Sequence, residues 1–134
     1  MPERLGSGLL DTSVVIDLDR IDLEHLPLTV AVSAITMAEL AAGPAATQDL
    51  AERARRQDRL QRAEAAFEPI PFGSEAARAY GRVHAAVAAA GRQPRRRFAD
   101  LLIASVAVAE GLPLVTRNAE DFAGLSDVLV VVPV

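Results

Sequence analysis

The sequence predicts an α/β fold: a single domain in which a mostly parallel central sheet is flanked by helices. Two observations predict it. Short apolar runs alternate along the chain with segments of helical pattern, and no linker, low-complexity tract or internal repeat divides the 134 residues. A chain of this length buries a sizeable core as one domain, residues 1–134. Ligands of such parallel sheets bind beyond the carboxyl ends of the strands.

Four apolar runs are the candidate strands. The first, "GLLD" at residues 8–11, is followed by a polar turn. The second, "LTVAVS" at residues 28–33, is rich in β-branched residues, which favour strands. Two later runs, "LPLVT" and "DVLVVVP", predict the remaining strands. The segment "EPIPF" is a candidate for a short additional strand.

Two helices are predicted in the first half of the chain. "AITMAELAAG" predicts a helix that ends at Gly43, because Pro44 follows as a stop signal. Residues 47–67 predict a long, highly charged helix.

Two longer helices and a short one are predicted in the second half. "GSEAARAYGRVHAAVAAAG" predicts a helix capped by Ser74 and closed by Gly91. An apolar helix is predicted from residue 100 to residue 110, with Gly111 as its end. "RNAEDF" predicts a turn that leads into a short helix.

Composition excludes several classes of protein. The hydrophobic fraction of 51% and the charged fraction of 24% are typical of a globular domain. The absence of cysteine excludes disulfides and thiolate metal sites, and it fits a reducing, cytoplasmic location. All fourteen basic residues are arginine, so lysine Schiff-base and P-loop chemistry are excluded. No apolar run is long enough for a signal peptide or a membrane span, so no membrane association is expected.

Four acids stand in apolar surroundings. Asp11 follows the first strand, and Asp121 follows the strand "LPLVT". Asp100 opens the apolar helix. Glu39 is the one charge in an otherwise apolar segment, so we do not expect it on an ordinary solvated helix face.

Each acid also has a purely structural interpretation. Asp11 fits a helix cap, Asp100 fits a first helical turn that complements the helix dipole, and Asp121 fits a loop. Glu39 could pair with a distant arginine. Taken together, the acids favour a shared cluster at one edge of the sheet. Crowded carboxylates repel one another, and bound Mg²⁺ or Mn²⁺ relieves the repulsion. Oxygen ligands without cysteine or histidine favour these ions over zinc.

Four segments, "LLDTSVVID", "SAITMAEL", "FADLLIAS" and "LVTRNAEDF", resemble in order and spacing the four motifs of the PIN-domain family. The resemblance covers essentially the whole chain and is greatest to the VapC-type toxins of bacterial toxin–antitoxin pairs. It implies a parallel sheet flanked by helices and Mg²⁺-dependent endoribonuclease activity on RNA. It also implies inhibition by a cognate antitoxin whose tail covers the acidic site, and a homodimer.

The resemblance also implies roles for three of the acids. Asp11 and Asp100 match the aspartates that bind the metal in this family, and Glu39 matches the acid of the second motif. The expected chemistry is in-line hydrolysis of a phosphodiester, with products that carry a 5′-phosphate and a 3′-hydroxyl.

The fourth motif departs from the family pattern. Thr116 and Asn118 match a polar turn in which many members have an aspartate at the Asn118 position. Asp121 is the nearest carboxylate, and it is the fourth expected catalytic acid. The sequence leaves open whether Asn118 or Asp121 completes the site.

Arginines lie close to two of the motifs. Arg92 and the run at residues 95–97 precede Asp100, where a phosphate contact, a solvated loop and an antitoxin-binding patch are the open alternatives. Arg117 is expected to contact substrate or to pair with Glu120.

Two other functions are compatible with the motifs. One is a non-catalytic binding module of the same fold that acts with a DNA-binding partner. The other is a housekeeping RNA-processing nuclease with the same chemistry.

Overall fold

A computed structural model describes residues 4–134, and in them strands and helices alternate as predicted. The strands are short and the helices are separated by 3-10 turns. The strands are β1 (Ser7–Leu10), β2 (Thr29–Ala31), β3 (Leu114–Thr116) and β4 (Val131–Pro133), and the helices are α1 (Thr12–Ile16), α2 (Ala34–Ala42), α3 (Leu50–Ala66), α4 (Ser74–Ala89) and α5 (Phe98–Glu110).

The four strands form one sheet in the order β2-β1-β3-β4, and every neighbouring pair is parallel. In the register of the sheet, Leu9 of the central strand β1 lies between Ala31 and Leu114. Because all strands run in the same direction, the residues that follow β1, β2 and β3 meet at one edge. We call this the carboxyl edge. It is where the candidate site lies.

Successive residues of the central strands point to opposite faces of the sheet, and each face has its own core. Leu9 and Leu114 belong to a core with α4 and α5. Leu10 and Val115 belong to a core with α1, α2 and α3 on the other face. All four side chains are fully buried. A central strand that is covered on both faces needs an uninterrupted apolar run, which is what "GLL" supplies.

Two helix starts differ from the predicted ones. The charged helix α3 begins at Leu50 rather than at residue 47, because the Asp49 side chain accepts hydrogen bonds from the backbone N–H groups of Ala51 and Glu52 and caps the helix. Helix α5 begins at Phe98, so Asp100 lies in its first turn rather than at its start.

Two further expectations were wrong. Gly73, not Ser74, occupies the N-cap position of α4, and no side chain caps that helix. "EPIPF" does not form a strand of its own: Ile70 makes only an isolated parallel bridge to Ser33.

The predicted glycine ends of α4 and α5 are confirmed. Gly91 and Gly111 have φ angles of 77° and 66°, in the left-handed region that glycine adopts without steric cost. In both cases the next residue donates its N–H back into the last turn, from Arg92 to Val87 and from Leu112 to Ala107. Over residues 4–134, none of the helices has the length and apolar character needed to cross a membrane.

Candidate active site

Four acids predicted from the sequence surround the carboxyl edge. Asp11 directly follows β1 and is only 4% exposed. Asp100 in α5 is partly buried, and so is Asp121, which lies in the 3-10 turn after β3. Burial, together with the charges of Asp11, Asp121 and Glu39, raises the pKa of Asp100 to about 6. The structure therefore brings the four acids within electrostatic reach of one another.

Asp11 is held from one side only. Its side chain lies at the N-cap position of α1 but does not cap the helix. Instead its Oδ2 accepts hydrogen bonds from the hydroxyls of Ser13 and Thr116, both at 2.8 Å. Among the described residues, no group donates a hydrogen bond to Oδ1. The anchored carboxylate thus presents one oxygen that is available to a ligand.

Backbone groups fix the direction of both hydroxyls. Ser13 Oγ accepts the N–H of Arg117 at 3.1 Å, and Thr116 Oγ1 accepts the N–H of Asn118 at 3.0 Å. A carboxylate oxygen only accepts, so the proton of each hydroxyl is directed to Asp11, while a lone pair of each hydroxyl oxygen accepts from the backbone. The structure brings Thr116 into contact with Asp11, and its supporting role in the chemistry stays a prediction.

A second chain of hydroxyls ends on Glu39. Thr12 Oγ1 donates to Glu39 Oε1 at 2.6 Å, and Thr12 Oγ1 lies 3.0 Å from Thr36 Oγ1. The single proton of Thr12 is used on Glu39, so Thr36 is the donor in the bond between the two threonines. Ser33 Oγ approaches Thr36 Oγ1 at 3.5 Å and caps α2 by accepting the N–H of Thr36. Thr36 and Ser33 are fully buried, so this chain links α1 to α2 in the protein interior.

The expectation that Glu39 avoids a solvated face was wrong. Glu39 is an exposed residue, and its carboxylate accepts a hydrogen bond from the Thr12 hydroxyl; within residues 4–134 it forms no ion pair with an arginine. Only one of its oxygens is bonded, because α2 turns the glutamate outward at the rim of the carboxyl edge.

The sequence left open whether Asn118 or Asp121 completes the site, and the structure gives these two residues different contacts. Asp121 forms an ion pair with Arg97 at 3.1 Å. Asn118 is exposed. Its backbone N–H donates to Thr116 Oγ1, and its C=O accepts from the N–H of Asp121. The supporting role expected of its side chain stays a prediction.

Arg117 does not pair with Glu120. Its guanidinium lies 3.5 Å from a carboxylate oxygen of Asp17, just beyond α1. The other expected interaction of Arg117, with substrate, stays a prediction.

The four acids of the carboxyl edge offer oxygen ligands of the kind that Mg²⁺ and Mn²⁺ prefer. Within residues 4–134, the carboxylate oxygens of the four acids do not form a group of three within 4.8 Å; the one group of that kind is the exposed set Asp22, Glu24 and His25. Mg²⁺ usually takes one or two carboxylates and keeps several waters, so a dense cage is not required. The free oxygen of Asp11 and the crowded, partly buried Asp100 fit such a site.

Sequence reasoning missed the hydroxyl residues that orient the acids, namely Thr12, Ser13 and Thr36. A signal was present for each. Thr12 and Ser13 directly follow Asp11 in "LLDTS", and Thr36 precedes Glu39 by three residues, which places both on one face of α2. Side chains of this type are expected near carboxylates that must be held in one orientation.

The chain matches the PIN-domain family over residues 8–127. It belongs to the PIN-domain family. This PIN domain is 40% identical over 125 residues to ribonuclease VapC5 of Mycobacterium tuberculosis, an alignment that covers 90% of this chain and 88% of the relative. The PIN domain is thus of the VapC type, a ribonuclease toxin of a toxin–antitoxin system, as the four motifs predicted.

Solved structures share the fold of this PIN domain. VapBC-5 of Mycobacterium tuberculosis superimposes with a TM-score of 0.85 at 35% identity, covering 96% of this chain and 99% of the other. VapBC2 of Rickettsia felis, solved with a DNA fragment from its promoter, superimposes with a TM-score of 0.74 at 25% identity, covering 92% of this chain and 96% of the other. FitAcB of Neisseria gonorrhoeae gives 0.67 at 28% identity, with coverages of 92% and 95%. The predicted fold is confirmed, and a toxin–antitoxin complex is the assembly to which this family of toxins belongs.

Proposed function

We propose that this PIN domain is a Mg²⁺- or Mn²⁺-dependent endoribonuclease whose scissile phosphate lies over Asp11 and Asp100 at the carboxyl edge. The observation that carries the proposal is the one-sided anchoring of Asp11. Two directed hydroxyls hold the same oxygen of a buried carboxylate and leave the other oxygen free. The free oxygen is open to solvent, because no side-chain nitrogen or oxygen atom of residues 4–134 is both buried and without a hydrogen-bond partner.

Asp11 and Asp100 are the proposed direct ligands of the cation. Ser13 and Thr116 keep Asp11 in one rotamer, so its side chain loses little conformational entropy when the cation binds. Asp100, with its pKa near 6, is mostly ionised at neutral pH, and its repulsion from the neighbouring acids is relieved by a positive charge. The chemistry that a bound divalent cation supplies is charge stabilisation at the phosphoryl oxygens and a lower pKa of coordinated water.

Glu39 and Asp121 have separate proposed roles. Thr12 holds Oε1 of Glu39, which leaves Oε2 to orient the attacking water and to accept its proton. Asp121 contributes negative charge near Asp100 and fixes the guanidinium of Arg97. By family resemblance, water attacks the phosphorus in line and the bond to the 3′ oxygen breaks. The departing oxygen takes a proton from solvent, so the products carry a 5′-phosphate and a 3′-hydroxyl.

Substitution of Asp11 tests this proposal. Asp11→Asn is expected to abolish Mg²⁺-dependent cleavage of single-stranded RNA, because the amide removes the ligand charge while the hydroxyl anchors can remain. Asp127→Asn is the matched control, since Asp127 is an exposed acid outside the site. Circular dichroism and thermal unfolding establish that both variants fold. Cleavage by Asp11→Asn at the wild-type rate would reject the site, whereas no cleavage by the wild type would favour a non-catalytic module.

We further propose that the tail of a cognate antitoxin covers the carboxyl edge and that the chain forms a homodimer. Both follow from the family resemblance. Growth arrest on expression, relieved by a co-expressed neighbouring gene, supports the toxin and excludes a housekeeping nuclease. Sedimentation equilibrium measures the oligomeric state directly.

A further inference from the structure

A cavity of about 390 Å³ lies between the end of α4, the 3-10 turn Pro94–Arg97, the first turns of α5 and the turn after β3. We call it the arginine cavity. Its polar lining consists of Arg92, Gln93, Arg96, Arg97 and Asp121.

Buried elements hold the walls of the arginine cavity in place. Val87 and Leu101 line it and are both buried members of the core between α4 and α5. The chain leaves α4 through the left-handed Gly91, and the N–H of Arg92 returns to the carbonyl of Val87 at 3.1 Å. The backbone at Arg92 is therefore fixed by a helix-end hydrogen bond, and the N–H of Arg96 donates to the carbonyl of Gln93 at 3.2 Å within the 3-10 turn.

The arginine cavity carries an excess of positive charge. Three guanidinium groups line it and only one carboxylate does, although the whole chain has a formal net charge of −4. Arg97 is paired with that carboxylate, Asp121. Arg92 makes a single long bond of 3.4 Å to a backbone carbonyl, and Arg96 has no side-chain partner within residues 4–134. Two guanidinium groups thus retain most of their donors for an anionic ligand.

The arginine cavity adjoins the carboxyl edge. Asp121 lines the cavity, and its charge also raises the pKa of Asp100. Arg97 lines the cavity as well, and it lies three residues before Asp100. A polyanion that has one phosphate at the acids can therefore place a neighbouring phosphate among the arginines.

We infer that the arginine cavity binds a backbone phosphate of the RNA substrate next to the scissile phosphate, with Arg92 and Arg96 as its ligands. The inference rests on the proposed nuclease function, because it needs an RNA strand at the carboxyl edge. The planar guanidinium fork matches phosphate oxygens in two-point contacts. Arg97 stays paired with Asp121 and acts as a positioning residue between the cavity and the acids.

Equilibrium binding tests the inference without cleavage. The affinity for a short, fluorescein-labelled single-stranded RNA is measured by anisotropy in EDTA, with the full chain. Arg92→Gln and Arg96→Gln are each expected to weaken binding about fivefold, and to lower the slope of log Kd against log salt by about 0.7 for each lost phosphate contact. Arg95→Gln is the matched control: it makes the same charge change next to Arg96, but Arg95 does not line the cavity. At most about a twofold effect is expected for it.

Three outcomes would overturn the inference. The first is unchanged binding by Arg96→Gln, and the second is an equal loss with Arg95→Gln, which would show a diffuse charge effect. The third is displacement of the RNA by oligoglutamate of equal charge at the same concentration, which would assign the cavity to acidic peptides. The series is repeated in the Asp11→Asn background. Cleavage by that protein would defeat the proposed function, whereas the pattern among the arginine variants decides the cavity separately.

Discussion

At the scale of single residues, the arrangement around Asp11 explains how a buried carboxylate is kept both rigid and available. Ser13 and Thr116 reach the same oxygen, although Thr116 comes from a different strand. Both hydroxyls are themselves directed by backbone N–H groups, so neither can turn away without leaving a donor unsatisfied.

Replacement of Thr116 tests this anchoring. Thr116 is fully buried. Thr116→Val removes one hydrogen bond to Asp11 and leaves the N–H of Asn118 without its acceptor. We expect a loss of about 1–2 kcal/mol in the free energy of unfolding and about a tenfold lower cleavage rate. Thr116→Ser keeps the hydroxyl and should retain most of the rate. Urea titrations and RNA-cleavage kinetics measure the two effects, and equal rates for both variants would contradict the anchoring role.

Asp100 makes the stability of the metal-free protein depend on pH. Its pKa is about 6 in the folded protein, above the ordinary value of 3.8. Between these values the folded protein keeps a proton that the unfolded chain has lost, so stability falls as pH rises from about 4 to about 6 and stays lower above that range. Asp100→Asn removes this penalty. In EDTA at pH 7.5, the free energy of unfolding of the variant should be about 1 kcal/mol higher than that of the wild type, after allowance for the partial exposure of Asp100.

Mg²⁺ provides the control for that measurement. It should raise the unfolding temperature of the wild type but not of Asp100→Asn, since only the wild type offers the second carboxylate. A variant that is no more stable than the wild type at pH 7.5, or that responds equally to Mg²⁺, would show that the ionised carboxylate of Asp100 does not destabilise the folded protein.

At the scale of secondary-structure elements, the threonine pair joins α1 to α2 and sets the position of Glu39. Thr12 is the first residue of α1, and Thr36 lies in the first turn of α2. Their bond at 3.0 Å, inside the protein, determines where the proton of Thr12 can go. The orientation of an exposed glutamate is thus decided by a buried contact between two helices.

Thr36→Val is the test of this contact. Thr36 reaches Glu39 through the hydroxyl of Thr12. Its loss should therefore lower kcat by about three- to tenfold with little change in KM, and it should lower the free energy of unfolding by about 1 kcal/mol. Thr36→Ser should restore kcat. If the valine variant loses stability but keeps kcat, the threonine pair is structural only.

The same scale shows how far the sequence could predict the protein. The central strands were predicted because burial on both faces requires apolar runs such as "GLL". Helix starts were displaced because capping depends on backbone geometry: Asp49 caps α3, whereas Ser74 does not cap α4. The acids were predicted by their apolar neighbours. The exposure of Glu39 and the pair of Arg97 with Asp121 were not, because both depend on distances between elements far apart in the chain.

At the scale of the whole molecule, the close packing of its layers leaves no room at the start of β1. A methyl group added at Gly8 would lie 2.9 Å from Pro27 Cγ and 3.1 Å from Val115 Cγ2. Gly8→Ala is therefore expected to lower the free energy of unfolding by about 1–3 kcal/mol. Gly81 in α4 has open space at the same position, so Gly81→Ala should raise it by about 0.5–1 kcal/mol. Thermal unfolding measures both, and a stable Gly8→Ala protein would contradict the described packing.

The bond between Thr116 and Asp11 spans 105 positions of the chain. While the polypeptide is being synthesised, β1 and Asp11 leave the ribosome long before β3, which holds Thr116. A nascent chain of this kind has the aspartate but not the hydroxyl that aligns it, nor the neighbouring strand on which that hydroxyl lies. The carboxyl edge is consequently assembled only after β3 has been synthesised, and an aligned Asp11 is a property of the folded domain rather than of its first segment.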